Sequence, residues 1–294
     1  MRSLLVLCIV IVFSHLSARG QIITEYVCNK ITSGAFFDDN PVFSPDGKTI
    51  LFDSNRKGIR QLFLLQIHGS LLIQETDNEY PVIIPSFHPD GKTIVASCHE
   101  GYRYSVFDSD GSKKLFQLKK RKVEIQSPSY NPSANLLLFK GKTSNDKHWK
   151  VMTYDFRYDN LNEVFKTEID IENPRWSPKG MYISFDLKKN EYENDSKIGI
   201  THWNGSPYEI ISSDTMKVSQ ATWGNLMGKI ACVGNNEKGY WLLIARIEDN
   251  SFVPLIFSTQ PILNPDWSSD GQSIVFALNE SEFKQNLWIL NLRD

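Results

Sequence analysis

The chain has 294 residues, of which 41% are hydrophobic, 22% charged and 12% aromatic, a composition that excludes disordered, collagen-like and coiled-coil classes. Lys and Arg total 32 against 34 Asp and Glu; taking away the first 20 residues removes Arg2 and Arg19 and no acid, leaving 30 against 34. A mildly acidic chain has no electrostatic hold on a phosphate backbone, so nucleic acid is excluded as an expected partner.

In chain order, Met1-Arg2-Ser3 is a short positive start, Leu4–Phe13 an apolar run and Ser14–Gly20 a polar, small-residue stretch. This is the three-part layout of a secretory signal peptide, with Ala18 and Gly20 placing cleavage before Gln21. The rival is an uncleaved anchor, but ten apolar residues make a helix of only ~15 Å, half a bilayer core. No later stretch reaches the roughly 18 apolar residues of a span. Residues 1–20 are therefore expected to be a signal peptide and 21–294 a single exported domain, periplasmic or secreted, with no membrane span after cleavage. Cys28, Cys98 and Cys232 remain; one disulfide and three buried thiols both fit this odd number.

The rest is one unit written six times. Pro41-Val-Phe-Ser-Pro-Asp-Gly-Lys-Thr-Ile-Leu-Phe52 returns as Phe87-His-Pro-Asp-Gly-Lys-Thr-Ile94, and in weaker copies beginning at Tyr130, Trp176, Trp223 and Trp267. The leading aromatics, with Phe43 the first, are 44, 43, 46, 47 and 44 residues apart, and each is followed seven residues later by an aliphatic. Pro stands two before the aromatic in five copies (Pro41, Pro85, Pro128, Pro174, Pro265) and Ala221 in the sixth. Each unit reads as strands. Pro-x-aromatic opens the first, with Pro tolerated at its start. Ser-Pro-Asp-Gly is a tight turn, and Ile50-Leu-Phe52 and its copies form the second strand. Gln61–Ile67 and its copies form a third, and segments such as Leu71-Leu-Ile73 a fourth. Four strands per roughly 45 residues is the pattern of a propeller blade. The chain stops one strand short of a last full blade, and Ile22–Ile31 is one strand long, so the N-terminal strand is expected to complete the last blade and latch the ring. The expected fold is all-β: a six-bladed β-propeller of four-stranded antiparallel blades.

The consensus Pro-x-[Trp/Phe]-Ser-Pro-Asp-Gly-Lys-x-Ile-x-Phe resembles the WD-like repeat of TolB-type propellers of the bacterial cell envelope, over residues 22–294. The resemblance implies a propeller that binds proteins through loops at one end of its channel. In that family an α/β domain precedes the propeller; here only a strand-forming segment lies between Gly20 and the first repeat. Related repeats also accompany peptidases and some polysaccharide lyases.

Catalytic signatures are missing. Gly-x-Ser-x-Gly, His-Glu-x-x-His, Cys-x-x-Cys and the P-loop do not occur. Of the histidines His68, His88, His99, His148 and His202, at most two neighbours could converge, whereas a metal site wants three or more ligands. Asp108-Ser-Asp-Gly111 opens like a calcium loop but lacks the later Glu, and reads as a hairpin turn. Lys119–Lys122 reads as a solvated basic loop. No catalytic residue, cofactor or metal is expected.

Two groups remain as candidate sites. Asn40, Ile84, Ser127, Asn173, Gln220 and Asn264 stand just before the Pro or Ala of each repeat. Five of these (Asn40, Ser127, Asn173, Gln220, Asn264) are uncharged and polar, as suits a wet channel mouth; an ordinary preference of Asn for the start of a strand is the rival explanation. Long charged loops between second and third strands crowd one face together with Phe36-Phe37-Asp38-Asp39. From them Phe36, Phe37, Asp38, Asp39, Arg56, Lys57, Glu100 and Arg103 are taken as a partner-binding face, since aromatic and Arg anchors dominate interface energies. The expected function is a non-catalytic scaffold that binds another cell-envelope protein. The alternative is a glycan-binding or glycan-cleaving propeller using Tyr102, Tyr192, Glu191, Glu193 and Asp195.

Overall fold

The computed structural model describes residues 26–100, 103–108, 122–133, 135–188, 196–225 and 228–292. A short strand β1 (Val27–Lys30) is followed by sheet 1, made of β2 (Asp38–Phe43), β3 (Thr49–Ser54), β4 (Gln61–Gln66) and β5 (Leu72–Gln74). Sheet 2 holds β6 (Val82–Phe87), β7 (Ile94–Glu100) and β8 (Arg103–Asp108). Sheet 3 holds β9 (Glu124–Tyr130), β10 (Leu136–Lys142), β11 (Lys150–Asp155) and β12 (Asn160–Phe165). Sheet 4 is β13 (Asp170–Trp176), β14 (Tyr182–Lys188), β15 (Ser196–His202) and β16 (Tyr208–Ile211). Sheet 5 is β17 (Lys217–Trp223), β18 (Lys229–Asn236), β19 (Gly239–Arg246) and β20 (Ser251–Ser258). Sheet 6 is β21 (Ile262–Trp267), β22 (Ser273–Ser281) and β23 (Lys284–Asn291), with β1 as its outermost strand in register Val27 to Asn291.

All strand pairs within these sheets are antiparallel, and each first strand packs against the first strands of its neighbours, β2 against both β6 and β21. This is a β-propeller. Five of the sheets are complete four-stranded blades, where six were expected; β6–β8 is three-stranded among the described residues. The strand expected there after Ser109-Asp-Gly-Ser112, like the signal peptide at 1–20, the loop 189–195 and Tyr102, lies outside the described residues.

The turn after each first strand follows from its sequence. At Ser44-Pro45-Asp46-Gly47, Gly47 adopts φ 70° and its N–H donates to Ser44 O at 2.9 Å, while Ser44 Oγ donates to Asp46 Oδ1 at 2.6 Å. Second strands are buried on both sides, because each sheet is sandwiched between two others. Ile50 and Phe52 pack towards sheet 6 and Leu51 towards sheet 2, the two-residue alternation of a strand. The hydrophobic core is therefore six inter-sheet clusters rather than one. Phe52, Phe139, Phe185 and Phe276 fill equivalent places, and Cys232 takes that place in sheet 5. No disulfide joins Cys28, Cys98 and Cys232 to one another, and burial pushes Cys232 well above the ordinary thiol range.

Candidate functional site: the channel and its loop-side mouth

The first strands line the axis, and all six carry the same irregularity. Asn40, Ile84, Ser127, Asn173, Gln220 and Asn264 have φ between 48° and 58°, and the strand register slips at each of these positions. Each is a β-bulge whose key residue is left-handed. Asn tolerates this conformation better than most residues because its short polar side chain bonds locally. The recurrence of Asn before Pro thus has a backbone cause as well as a polar one.

The bulge turns the backbone N–H out of its own ladder, and at Ile84, Ser127, Gln220 and Asn264 a neighbouring sheet supplies the acceptor. Ile84 N–H donates to Asp53 Oδ1 at 3.1 Å, Ser127 N–H to Ser97 Oγ at 3.0 Å, and Gln220 N–H to both oxygens of Asp186 at 2.8 and 2.9 Å. Asp53, Ser97 and Asp186 occupy one repeat position, three residues into the second strand from its leading aliphatic. Sheets 5 and 6 have Val233 and Ala277 there, which cannot accept, and other groups take over. Gln220 Oε1 accepts from Asn264 N–H at 2.7 Å, and Asp39 Oδ1 accepts from Asn40 N–H and Asn264 Nδ2, both at 2.8 Å. Asn40 Nδ2 and Asn173 Nδ2 donate to Asp53 and Asp186, each at 2.8 Å. In sheet 3, Lys140 holds the position and its Nζ reaches Glu172 Oε2 at 2.6 Å.

Asp53 is fully buried and pairs with Arg60, which also reaches Asp39 at 3.4 Å. Burial pushes both Asp53 and Asp186 up to about 7. For Asp53 the Arg60 charge opposes that rise; for Asp186 the amide donors and the more distant Arg175 oppose it, and among the described residues no cation is in contact.

The predicted partner-binding residues divide. Asp38 is fully buried, and Arg56 Nη2 donates to both of its oxygens at 2.7 and 2.8 Å. The same guanidinium lies 5.0–5.5 Å from the ring centroids of Phe36, Phe52 and Phe63. Phe36 O accepts from Gln285 N–H at 2.9 Å, Phe37 bridges Gln285, and Phe37 N–H donates to Asn55 Oδ1 at 2.8 Å. Phe36, Phe37, Asp38 and Arg56 thus clasp sheet 1 to sheet 6. Asp39 belongs to the polar ring. Lys57 and Glu100 are exposed on the loop face, and Arg103 opens β8. The sequence reading missed three exposed apolar side chains on that face: Ile59, Tyr80 and Phe283, at 47, 41 and 69% exposure. The signal was available, since each lies between strands in a stretch with no apolar periodicity.

Among the described residues no group of three or more His, Cys, Asp or Glu could hold a metal ion. No helix there is long and apolar enough to cross a membrane.

The comparisons agree with this architecture. A family model described as the TolB beta propeller domain matches residues 22–180, more than half of the chain, and the chain belongs to that family. Over 167 residues it is 28% identical to the uncharacterized peptidase YuxL of Bacillus subtilis (strain 168), a match covering 56% of this chain. The chain spans only 24% of that relative's length. The fold is shared with a putative TolB from Agrobacterium tumefaciens at 15% identity, with a TM-score of 0.66 and coverage of 90% of this chain and 93% of the other. It is also shared with an oligogalacturonate lyase in complex with manganese at 11% identity, with a TM-score of 0.59 and coverage of 93 and 95%.

Proposed function

We propose that the protein is an exported, non-catalytic binding scaffold, a six-bladed TolB-like ring that receives another cell-envelope protein on its loop-side face. The observation that carries this reading is the placement of Ile59, Tyr80 and Phe283 on loops of sheets 6 and 1 and on the link to sheet 2, three large apolar side chains left in water on one face. Exposed apolar groups rimmed by charge are the usual composition of an interaction surface. Lys57 and Glu100 supply the rim. The Arg56–Asp38 clasp holds Phe36 and Phe37 in place behind the anchors. The leader is cleaved before Gln21. The test is a cross-linked capture from the native envelope with the full chain beside an Ile59→Ser/Phe283→Ser variant. One envelope protein held by the wild type and lost by the variant is the expected result; equal recovery by both removes this face from consideration.

A second reading, glycan binding, has its own observation. A cavity of about 710 Å³ lies between sheets 4 and 5 at the opposite end, lined by Tyr182, Trp223, His202, Asn204 and Glu209 among others. Aromatic walls with polar groups at the edge suit a sugar face. A carbohydrate array probed with wild type and Tyr182→Ala distinguishes it: spots that bind the wild type alone support it, and a blank array ends it.

A further inference from the structure

The cavity of about 710 Å³ between sheets 4 and 5 is closed at its inner end. Trp223 and Pro178 line it and also line a smaller chamber of about 240 Å³ at the turn-side end of the channel, whose wall includes Arg175 and Asp266; these two residues are the partition. Ile200 and Ile247 supply apolar wall, in the inter-sheet cluster where Cys232 replaces the Phe of four other sheets. The Tyr182 ring stacks on that of Trp223, with centroids 6.4 Å apart and 28° between planes, and both rings are only half-buried.

The polar groups come from one turn, His202-Trp203-Asn204-Gly205-Ser206, between β15 and β16. Gly205 adopts φ 88° and its N–H donates to His202 O at 2.8 Å; a Cβ there would strike Val164 O of sheet 3, so the turn has one shape. Ser206 N–H donates to Asn204 Oδ1 at 3.2 Å, which marks that atom as the oxygen. His202 Nδ1 lies 2.9 Å from the same oxygen and must then carry the proton. His202 Nε2 is left as an acceptor and Asn204 Nδ2 as a donor, and neither has a hydrogen-bond partner among the described residues. Asn204 is exposed and His202 half-buried, so neither side chain is sealed from solvent. Among the described residues the charged side chains lining the cavity are Lys179 and Glu209, one of each sign and both exposed.

We infer that this cavity takes the uncharged terminal sugar of a glycan. The C–H face of the sugar packs on Tyr182 and Trp223, one hydroxyl donates to His202 Nε2 and another accepts from Asn204 Nδ2. This rests on the glycan reading above and narrows it. A hydroxyl both donates and accepts, so a pair of them answers an acceptor and a donor offered by one turn; a carboxylate only accepts and an ammonium only donates. With its two charges balanced, the cavity offers no net counter-charge to a uronate or an amino sugar. The closed inner end admits a chain end rather than the middle of a chain.

The full chain, labelled with ¹⁵N, is titrated with the methyl glycosides of glucose, galactose and mannose, with glucuronate, with glucosamine, and with a cyclic glucan that has no chain end. The Trp223 indole and His202 imidazole signals are expected to shift together and saturate with a neutral glycoside, while Trp288, buried in sheet 6, stays still. His202→Phe keeps a ring against Tyr182, deletes the acceptor and is expected to weaken binding about threefold to tenfold, the worth of one hydrogen bond. Asn204→Asp keeps Oδ1 for His202 and Ser206, deletes the donor and should cost about as much; it serves if His202→Phe does not fold. Tighter saturation by glucuronate or glucosamine than by any neutral glycoside, or equal binding of the cyclic glucan, overturns the inference and leaves the glycan reading standing. Neutral-sugar binding that survives both variants overturns the assignment to this turn. No saturable shift with any sugar removes the inference and the glycan reading together.

Discussion

The two ends of the channel use the same six strands to opposite effect. At the loop-side mouth the left-handed bulge residues deliver N–H groups to carboxylates, a hydroxyl and an amide oxygen of neighbouring residues. Towards the turn-side end of the same strands, the indole N–H groups of Trp176, Trp223 and Trp267 are buried with no acceptor among the described residues. One end is closed by its own hydrogen bonds and works as a latch between sheets; the other is held by ring packing between sheets. The difference separates residues that hold the ring through hydrogen bonds from residues that hold it through packing, which repeat position alone does not.

The largest effect expected at the mouth is on stability. Arg56→Ala leaves the buried Asp38 carboxylate unpaired and strips the cation from three aromatic rings, a loss of about 3–5 kcal/mol. Denaturant unfolding should show it, and the double variant with Asp38→Ala should lose less than the sum of the two single changes. A protein unfolding at the same denaturant concentration as wild type would mean that Arg56 is free for partners after all.

Asp186 tests whether the mouth is held by charge or by hydrogen bonding. Its folded pKa is raised to about 7 by burial. The native state therefore retains a proton between the unfolded value near 4 and 7 that the unfolded state has released. Stability from this group is complete below about pH 4 and is lost as pH rises to 7, flattening above. Asp186→Asn keeps an oxygen for Gln220 N–H but cannot ionise. Relative to wild type it should gain on the order of 3 kcal/mol between pH 4.5 and 7.5, measured by urea unfolding at each pH. A constant difference would place the carboxylate's titration outside this window.

A change remote from both ends supplies a control. Gly199 on β15 packs directly under the Phe185 ring, which a Cβ would strike. Gly199→Ala should cost on the order of 1–2 kcal/mol by overpacking, and the cost should not vary between pH 4.5 and 7.5. A pH-dependent cost would show that the inter-sheet core and the channel titrate as one unit.

The strand pattern was legible because the repeat states it six times: aromatic, turn, aliphatic and alternating second strand each recur at fixed spacing. The N-terminal strand was legible as the missing member of the last sheet. Side-chain fate was not. Arg56 reads as a surface anchor in an Asn-Arg-Lys-Gly loop, and only the approach of Asp38 and three rings from elsewhere makes it internal. Arg175 and Asp266 sit at a repeat position occupied elsewhere by Val, Ser and Thr, so nothing local marks them as lining one chamber. The left-handed bulge left a trace in its Asn residues, but polarity explained them equally well until the backbone was seen.

Ile84 settles which explanation counts for more. It is the one apolar member of the six, β-branched and held at φ 53°, where its Cβ is crowded by the following carbonyl oxygen. Its N–H bond to Asp53 is a backbone interaction that any replacement but proline keeps. If the backbone demands the residue type, Ile84→Asn should stabilise the protein by about 1 kcal/mol, the penalty for an L side chain in this region. The change would be read as a higher denaturant midpoint with unchanged slope. If a wet mouth is what selects Asn, Ile84 instead contributes by covering Asp53, and the same substitution should lower the midpoint. The direction of one small shift therefore decides between strain and solvation at every equivalent position in the ring.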